Sequence, residues 1–305
     1  MGPLGAEIRL APSTDEPILV VEARDSAAIL VDRAQITEKV IASASRGGCR
    51  AIVRYGIGYD NVDIESAERH GMPVANVPDY CLDEVADHTM ALLLSHARSI
   101  VSVSNGVRAG RWNIPKGHVP RLAGRRLGLI GMGRIGRRVA ARALAFGLLV
   151  DAYDPMAEID VPGVTRVTSV RQLLDTADYI SLHAALNDST LHLIDTDAIG
   201  AMRKAPFLIN TSRGGLVDID AIAVALESGR LAGVALDAFE SEPLPPDHPL
   251  RSNPLAIITP HMSYYSNESE PDLAKRVAEE VARALGGQPL LNPVTKVRIA
   301  QAPRP

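Results

Sequence analysis

The sequence predicts an α/β protein of two domains, each built on a parallel sheet covered by helices. Three observations predict it. Short apolar, β-branched runs bounded by turn residues recur along the chain. Helical segments separate them, so consecutive strands are joined by crossovers rather than hairpins. The chain of 305 residues is long enough to bury two cores.

In the first 77 residues the expected strands are "AEIRL", "AAILV", "RAIVRY" and "PVANV". "LDEVADHTMALLLSHARSIVSVSNGVRAGRW" follows, with Val85, Met90, Leu93, Leu94, Ala97 and Ile100 at helical spacing. That spacing predicts one long helix bridging the domains. A second series of strands comprises "RLGLIG", "LLVDAYD", "DYISLH", "APFLINTSRGG", "LAGVALDAF" and "LAIITPH", with "RIGRRVAARALAFG" and "DIDAIAVALESG" as helices between them. This is the pattern of a doubly wound sheet. A last helix in "ESEPDLAKRVAEEVARALGG" carries Leu273, Val277, Val281 and Leu285 on one face and is expected to stop at Gly286.

Composition narrows the function classes. With 46% hydrophobic residues, 22% charged residues and a net charge of -4, the chain lacks the clustered Lys and Arg excess of nucleic-acid or anionic-membrane binders. No run approaches the roughly 18 apolar residues of a membrane span. Cys49 and Cys81 fit no disulfide or metal-ligand spacing, so no metal is expected and a reducing, cytoplasmic setting is.

The chemistry concentrates at strand ends. "LGLIGMGRIGRRVA" places Gly131, Gly133 and Gly136 in a G-x-G-x-x-G pattern between an apolar strand and an amphipathic helix, the context that makes the pattern specific for a dinucleotide. Arg134 and Ile135 lie within it, and Arg134 is a candidate contact for the pyrophosphate at the helix N-terminus. Arg137 and Arg138 read as a solvated helix face. Asp154, eighteen residues beyond Gly136, ends the next strand, where an acid accepts from both ribose hydroxyls and repels a 2′-phosphate. NAD is the expected cofactor.

Ligands of open α/β sheets bind outside the carboxyl ends of the strands. The candidates there are Asp154, His183, Arg213 after "FLINTS", Asp237 after "GVAL", and His261 after "IITP", with Glu242 in the loop "DAFESEPLP". A 2-oxo acid beside a nicotinamide needs a cation for its carboxylate and carbonyl, which suits Arg213, and an acid to protonate the oxygen as hydride arrives, which suits a histidine held by a carboxylate such as Glu242. Spacing does not choose between His183 and His261. Either could instead be a site wall or a core ring, and "SRGG" could be an ordinary turn.

At this point the residues resemble the D-2-hydroxyacid dehydrogenase family over nearly the whole chain: "RYGIGYDNVD", "NVPDYCLDEVADHT", "GRW", "GLIGMGRIG", "INTSRGGLVD", "GVALDAFESEP" and "TPH". Within it, "NVPDYCLDEVADHT" and the aromatic pair after the histidine look most like the branch related to C-terminal binding protein. The resemblance implies that Arg213, Glu242 and His261 are catalytic, with His261 the acid/base, and moves His183 to the cofactor wall. It adds Thr211 to the cofactor contacts and matches Asp237 to the residue that holds the nicotinamide carboxamide. The backbone of Ile57 and Gly58 matches the loop that receives the substrate carboxylate, with Arg54 and Tyr80 in the same pocket.

The resemblance also implies a Rossmann cofactor domain, residues 78–272, and a smaller flavodoxin-like substrate domain, residues 1–77 and 273–305, with a cleft that closes and a homodimer formed through the cofactor domain and the "GRW" region. Two departures are visible. A strand and helix expected before "GAEIRLAP" are not seen, and Tyr264 stands where the related branch often carries Trp. The expected partner is a small 2-oxo or 2-hydroxy acid, with no direct nucleic-acid or membrane role. The alternatives are an NAD(H)-sensing corepressor-like regulator, or a dehydrogenase of a phosphonate or specialised-metabolism acid.

Overall fold

Two parallel sheets organise the chain, one in each of two compact units: residues 1–80 with 266–305, and residues 81–265. The computed structural model describes residues 5–114 and 119–299. The unit boundaries fall after Tyr80 and Tyr265, a few residues from the expected 77 and 272.

The smaller unit runs α1 (Glu16–Arg24), β1 (Ile29–Val31), α2 (Glu38–Gly47), β2 (Ile52–Arg54), α3 (Ile64–Arg69) and β3 (Val74–Ala75), with strand order β1-β2-β3, all parallel. "AEIRL" is not a strand. Its alternating Ile8 and Leu10 are almost fully exposed, and a strand needs a ladder partner that this segment does not meet.

The larger unit begins with α4 (Leu82–Ala97) and α5 (Ile100–Arg108) where one helix was expected. The break is at Ser99, whose φ of 53° is left-handed and cannot continue a right-handed helix. Then follow β4 (Arg126–Ile130), α6 (Arg134–Ala145), β5 (Leu149–Tyr153), β6 (Val164–Arg166), α7 (Val170–Thr176), β7 (Tyr179–Leu182), α8 (Thr196–Gly200), β8 (Phe207–Asn210), α9 (Ile219–Glu227), β9 (Gly233–Leu236) and β10 (Ala256–Ile258). The seven strands are parallel in the order β10-β9-β8-β7-β4-β5-β6, so the sheet is doubly wound and its order reverses between β4 and β7. The short, largely exposed β6 was not anticipated, because "VTR" carries too little apolar signal.

Both faces of this sheet are buried, as crossover helices require. Alternate residues divide between two cores. Ile180, Leu182, Leu208, Val234 and Leu236 pack on one face, and Tyr179, Phe207, Ile209 and Ala235 on the other.

The chain re-enters the smaller unit through α10 (Ser269–Leu285), whose Leu273 and Val277 pack with Val53 and Val77. The last helical residue is Leu285, so the stop falls at Gly286 as expected. Gly286 is the C-cap with φ -82°, and Gly287 takes the left-handed conformation at φ 66°. The Gly287 N–H bonds the Ala284 carbonyl and the Gln288 N–H bonds the Arg283 carbonyl, a Schellman closure. Fully buried Glu280 accepts from the Leu291 and Asn292 N–H groups, fastening the last segment to the helix.

Candidate active site

Parallel strands deliver all their carboxyl ends to one edge of the larger sheet. β4 leads into Gly131, β5 into Asp154, β7 into His183, β8 into Thr211 and Arg213, β9 into Asp237, and β10 into Thr259 and His261. The glycine loop and His183 therefore flank the point where strand order reverses, the ligand position of such sheets.

The three glycines are needed for different reasons. Gly131 has φ 99°, and a Cβ there would lie 2.5 Å from the His183 carbonyl carbon and oxygen. A Cβ on Gly136 would strike the Gly131 carbonyl. A Cβ on Gly133 would meet no protein atom within 4 Å, so packing does not demand glycine there, whereas close approach of a pyrophosphate to backbone does. The residues thus fit a dinucleotide. Arg134 is exposed at the first turn of α6, with Ile135 half-buried behind it. The neighbouring arginines are not simply solvated: Arg137 pairs with Asp160, and Arg138 with Asp83 at 3.2 Å.

Asp154 accepts from the Met132 N–H of the glycine loop at 2.7 Å, and from the Met156 and Ala157 N–H groups at 2.8 and 2.9 Å. Partial burial opposes its charge, but these donors and Arg137 outweigh burial and hold its pKa below the usual carboxylate value. His183 is the opposite case. Its Nε2 is hydrogen-bonded to the Ser181 hydroxyl at 2.9 Å, its Nδ1 is buried without a hydrogen-bond partner among the described residues, and burial pushes its pKa down to about 4. A neutral ring is a wall or a hydrogen-bonding group, and a poor proton donor at neutral pH.

His261 is built differently. Its Nδ1 lies 2.8 and 2.9 Å from the two carboxylate oxygens of Glu242, and the Phe239 N–H fixes Glu242 Oε1 at 3.0 Å. The ring is partly exposed, at 28%, so the pair is supported from behind and open in front. His261 has φ 53°, a left-handed conformation costing a non-glycine residue about 1–3 kcal/mol unless its surroundings hold it. Tyr264 is half-buried three residues on, and Tyr265 is exposed.

Arg213 follows β8, its guanidinium donating to the Ser212 carbonyl at 2.9 Å. Gly214 brings its loop against the Glu242 loop, since a Cβ there would collide with backbone of Phe239 and Glu240. His192, left-handed at φ 48°, is hydrogen-bonded to Glu240 beside that contact. Thr211 and Asp237 are both buried, Thr211 with its hydroxyl 2.9 Å from that of Thr89 and Asp237 with its carboxylate turned onto the loop after β10.

The residues expected to receive a substrate carboxylate gather within the smaller unit. Arg54 ends β2, folds back to donate to the Tyr55 carbonyl, and lies 3.9 Å from Asp32. Gly56, at φ 141°, makes room for it: a Cβ there would run into the Arg54 guanidinium and sit 3.7 Å from the Tyr80 hydroxyl. The Asn76 amide holds the Ile57 carbonyl at 2.6 Å, setting the Ile57–Gly58 turn.

Sequence reasoning missed Gly56, His88, His192, Gly214 and Thr259. The glycines had a local signal in "RYGIGYD" and "SRGG"; the others act on residues far away in the chain and had none. Among the described residues no three His, Cys, Asp or Glu side chains are grouped to hold a metal ion, and no helix is long and apolar enough to cross a membrane.

Comparison with known proteins identifies the family. Residues 90–263 match the family profile "D-isomer specific 2-hydroxyacid dehydrogenase, NAD binding domain". The chain is 35% identical over 97% of its length to D-3-phosphoglycerate dehydrogenase of Methanocaldococcus jannaschii, of which it spans 56%. It is 38% identical over 76% of its length to glyoxylate reductase of Korarchaeum cryptofilum, covering 72% of that protein. A crystal structure of D-lactate dehydrogenase from Aquifex aeolicus, complexed with NAD and lactic acid, superposes with a TM-score of 0.80 at 30% identity, over 87% of this chain and 84% of that one. With its profile match, its doubly wound sheet and its dinucleotide loop, the chain belongs to the D-isomer specific 2-hydroxyacid dehydrogenase family and carries that family's NAD-binding domain.

Proposed function

We propose that the protein catalyses the NAD(H)-dependent interconversion of a 2-oxo acid and the corresponding D-2-hydroxy acid. The observation that carries this reading is the His261–Glu242 pair, closed behind and open in front, on the sheet edge that also bears the dinucleotide loop. Bound nicotinamide supplies or accepts the hydride at C2. Because Glu242 engages Nδ1, Nε2 is the nitrogen that gives a proton to the C2 oxygen on reduction and recovers it on oxidation. Arg213 opposes the charge that develops on that oxygen.

Gly131, Gly133, Arg134, Ile135 and Gly136 are assigned to the pyrophosphate, with Thr211, His183 and Asp237 toward the nicotinamide. Asp154 is assigned to the ribose. Three of the roughly four acceptor positions of its carboxylate are taken by backbone N–H groups. The one remaining position and the negative charge suit a ribose hydroxyl and disfavour a 2′-phosphate. Arg54, Tyr80 and the Ile57 and Gly58 N–H groups are assigned to the substrate carboxylate, and Tyr264 to the choice of substrate size. The names of the glyoxylate reductase and D-lactate dehydrogenase relatives support a small acid.

The test is a panel of 2-oxo acids of increasing size from glyoxylate, read by loss of NADH absorbance. At least one acid is expected to turn over, and faster with NADH than with NADPH. Tight NADH binding with no turnover across the panel would defeat the reading, and equal rates with NADPH would remove the role given to Asp154.

A homodimer through α5 and the segment after it belongs to the same proposal. Ile100, Val101 and Val107 on α5 are exposed, and Trp112 and Ile114 beyond it are 89% and 81% exposed, an apolar stretch that is costly to leave in water. Sedimentation equilibrium is expected to give twice the chain mass for the wild type and a lighter species for Trp112→Glu; a wild-type monomer would refute it.

A further inference from the structure

Behind His261 lies a hydrogen-bond chain in which Thr259 and His88 hold none of the assigned roles, and its meaning rests on the acid–base reading of that residue. Asp237, fully buried after β9, accepts from the Thr259 hydroxyl at 2.5 Å, the Met262 N–H at 3.0 Å and the Ser263 N–H at 2.8 Å. These donors stand on both sides of His261. Burial alone would raise the pKa of this carboxyl, but the donors, the Ser263 hydroxyl included, reverse that and hold it below the usual value, so it is an acceptor only.

The direction of the chain follows. Thr259 has one hydroxyl proton, and a carboxylate has none to give, so that proton goes to Asp237. The Thr259 oxygen is then left with lone pairs for His88 Nε2, 3.2 Å away, and His88 must carry its N–H there. His88 is on α4, as is Thr89. The Thr89 hydroxyl donates to the Val85 carbonyl at 2.8 Å, so its 2.9 Å contact with Thr211 is one in which Thr211 donates. Consecutive side chains of one helix thus hold the ends of β10 and β8.

We propose that His88 is a positioning residue for His261: through Thr259 and Asp237 it holds the turn whose left-handed residue aims the imidazole at Glu242. A left-handed histidine persists only where the surroundings over-determine it. Here a buried carboxylate gathers the donors on either side of the turn, and loss of one donor leaves a buried charge short of a partner and free to draw the others toward itself.

The test compares Thr259→Val, which keeps shape but neither donates nor accepts, with Thr259→Ser, and His88→Leu with His88→Gln, which retains an N–H. In the NADH-dependent reduction, Thr259→Val and His88→Leu are each expected to lower kcat by about 10–100-fold while KM for the 2-oxo acid moves by less than about threefold. The Ser and Gln variants recover most of the loss. The double variant is expected to be no worse than Thr259→Val alone, because both changes cut one chain. Unchanged kcat, a loss confined to thermal stability, or multiplying losses would overturn the proposal.

NMR of ¹⁵N-labelled histidine rings needs no turnover. His88 is expected as the Nε2–H tautomer, and the His261 ring signals are expected to shift in Thr259→Val and return in Thr259→Ser. A His88 ring protonated at Nδ1 alone would overturn the chain. If the wild type turns over no acid, the functional reading fails while these spectra still decide the positioning claim.

Discussion

Replacing His261 with alanine is expected to lower kcat by about 10²–10⁴-fold, the contribution of a positioned general acid, with NADH affinity nearly unchanged. The size follows from what is removed: the only path by which the Glu242-held ring passes a proton to the substrate oxygen in the proposed reaction. The second half follows from place. His261 leaves β10, two strands beyond β8 and on the far side of the sheet order from the glycine loop at β4. Glu242→Gln is expected to cost less, since an amide can still hold the ring but cannot stabilise it as an ion pair would. Steady-state kinetics with calorimetric NADH titration check both. Unchanged turnover in His261→Ala would remove this residue from the mechanism, and an equal loss in His183→Asn would reopen the choice between the two histidines.

Acid is expected to destabilise the protein earlier than its carboxylates require. Burial pushes His183 from the ordinary 6.5 down to about 4, so the native ring stays neutral where the unfolded chain's ring takes a proton. Between those values the unfolded state binds more protons, and stability falls as pH falls. The loss begins near 6.5 and is complete near 4. At about 1.4 kcal/mol for each pH unit, His183 alone accounts for roughly 3 kcal/mol. His96 adds in the same direction. Its ring is stacked on Phe207 with centroids 3.7 Å apart, and burial lowers its pKa to about 4. Asp154 and Asp237 act in a lower window, because depressed carboxyl groups yield their stabilisation only below the ordinary 3.8. Urea midpoints measured in steps from pH 6.5 to 4 are expected to fall steadily, and the slope to shrink in His183→Asn. A flat profile over that window would show that the ring is not held neutral.

How much of this was legible in the sequence depended on distance along the chain. The six strands expected in the larger unit are present because each is a local apolar run ended by a turn, and the glycine loop is legible because its requirements lie within six residues. "AEIRL" carries the same alternation without finding a partner, which no local pattern reveals. Ser99 was invisible as a helix break because nothing about a serine demands a left-handed conformation. His88, Thr259 and Asp237 are brought together by an α4 that returns against β10, 171 residues away between His88 and Thr259, so no spacing points to them. The roles of His261 and Glu242 lay between these cases: strand-end position made them candidates, and the resemblance chose among the histidines.

The parallel sheet makes the larger unit chemically one-sided. With every carboxyl end turned to the same edge, the opposite rim carries turns such as Ser228–Gly229–Arg230 before β9 and Phe146–Gly147 before β5, both exposed. Sequence there can drift, lengthen or accept an inserted label without reaching the reacting groups, whereas the loops of the other edge, each bound to its neighbour through Gly214, Asp237 or Asp154, are free to change only together.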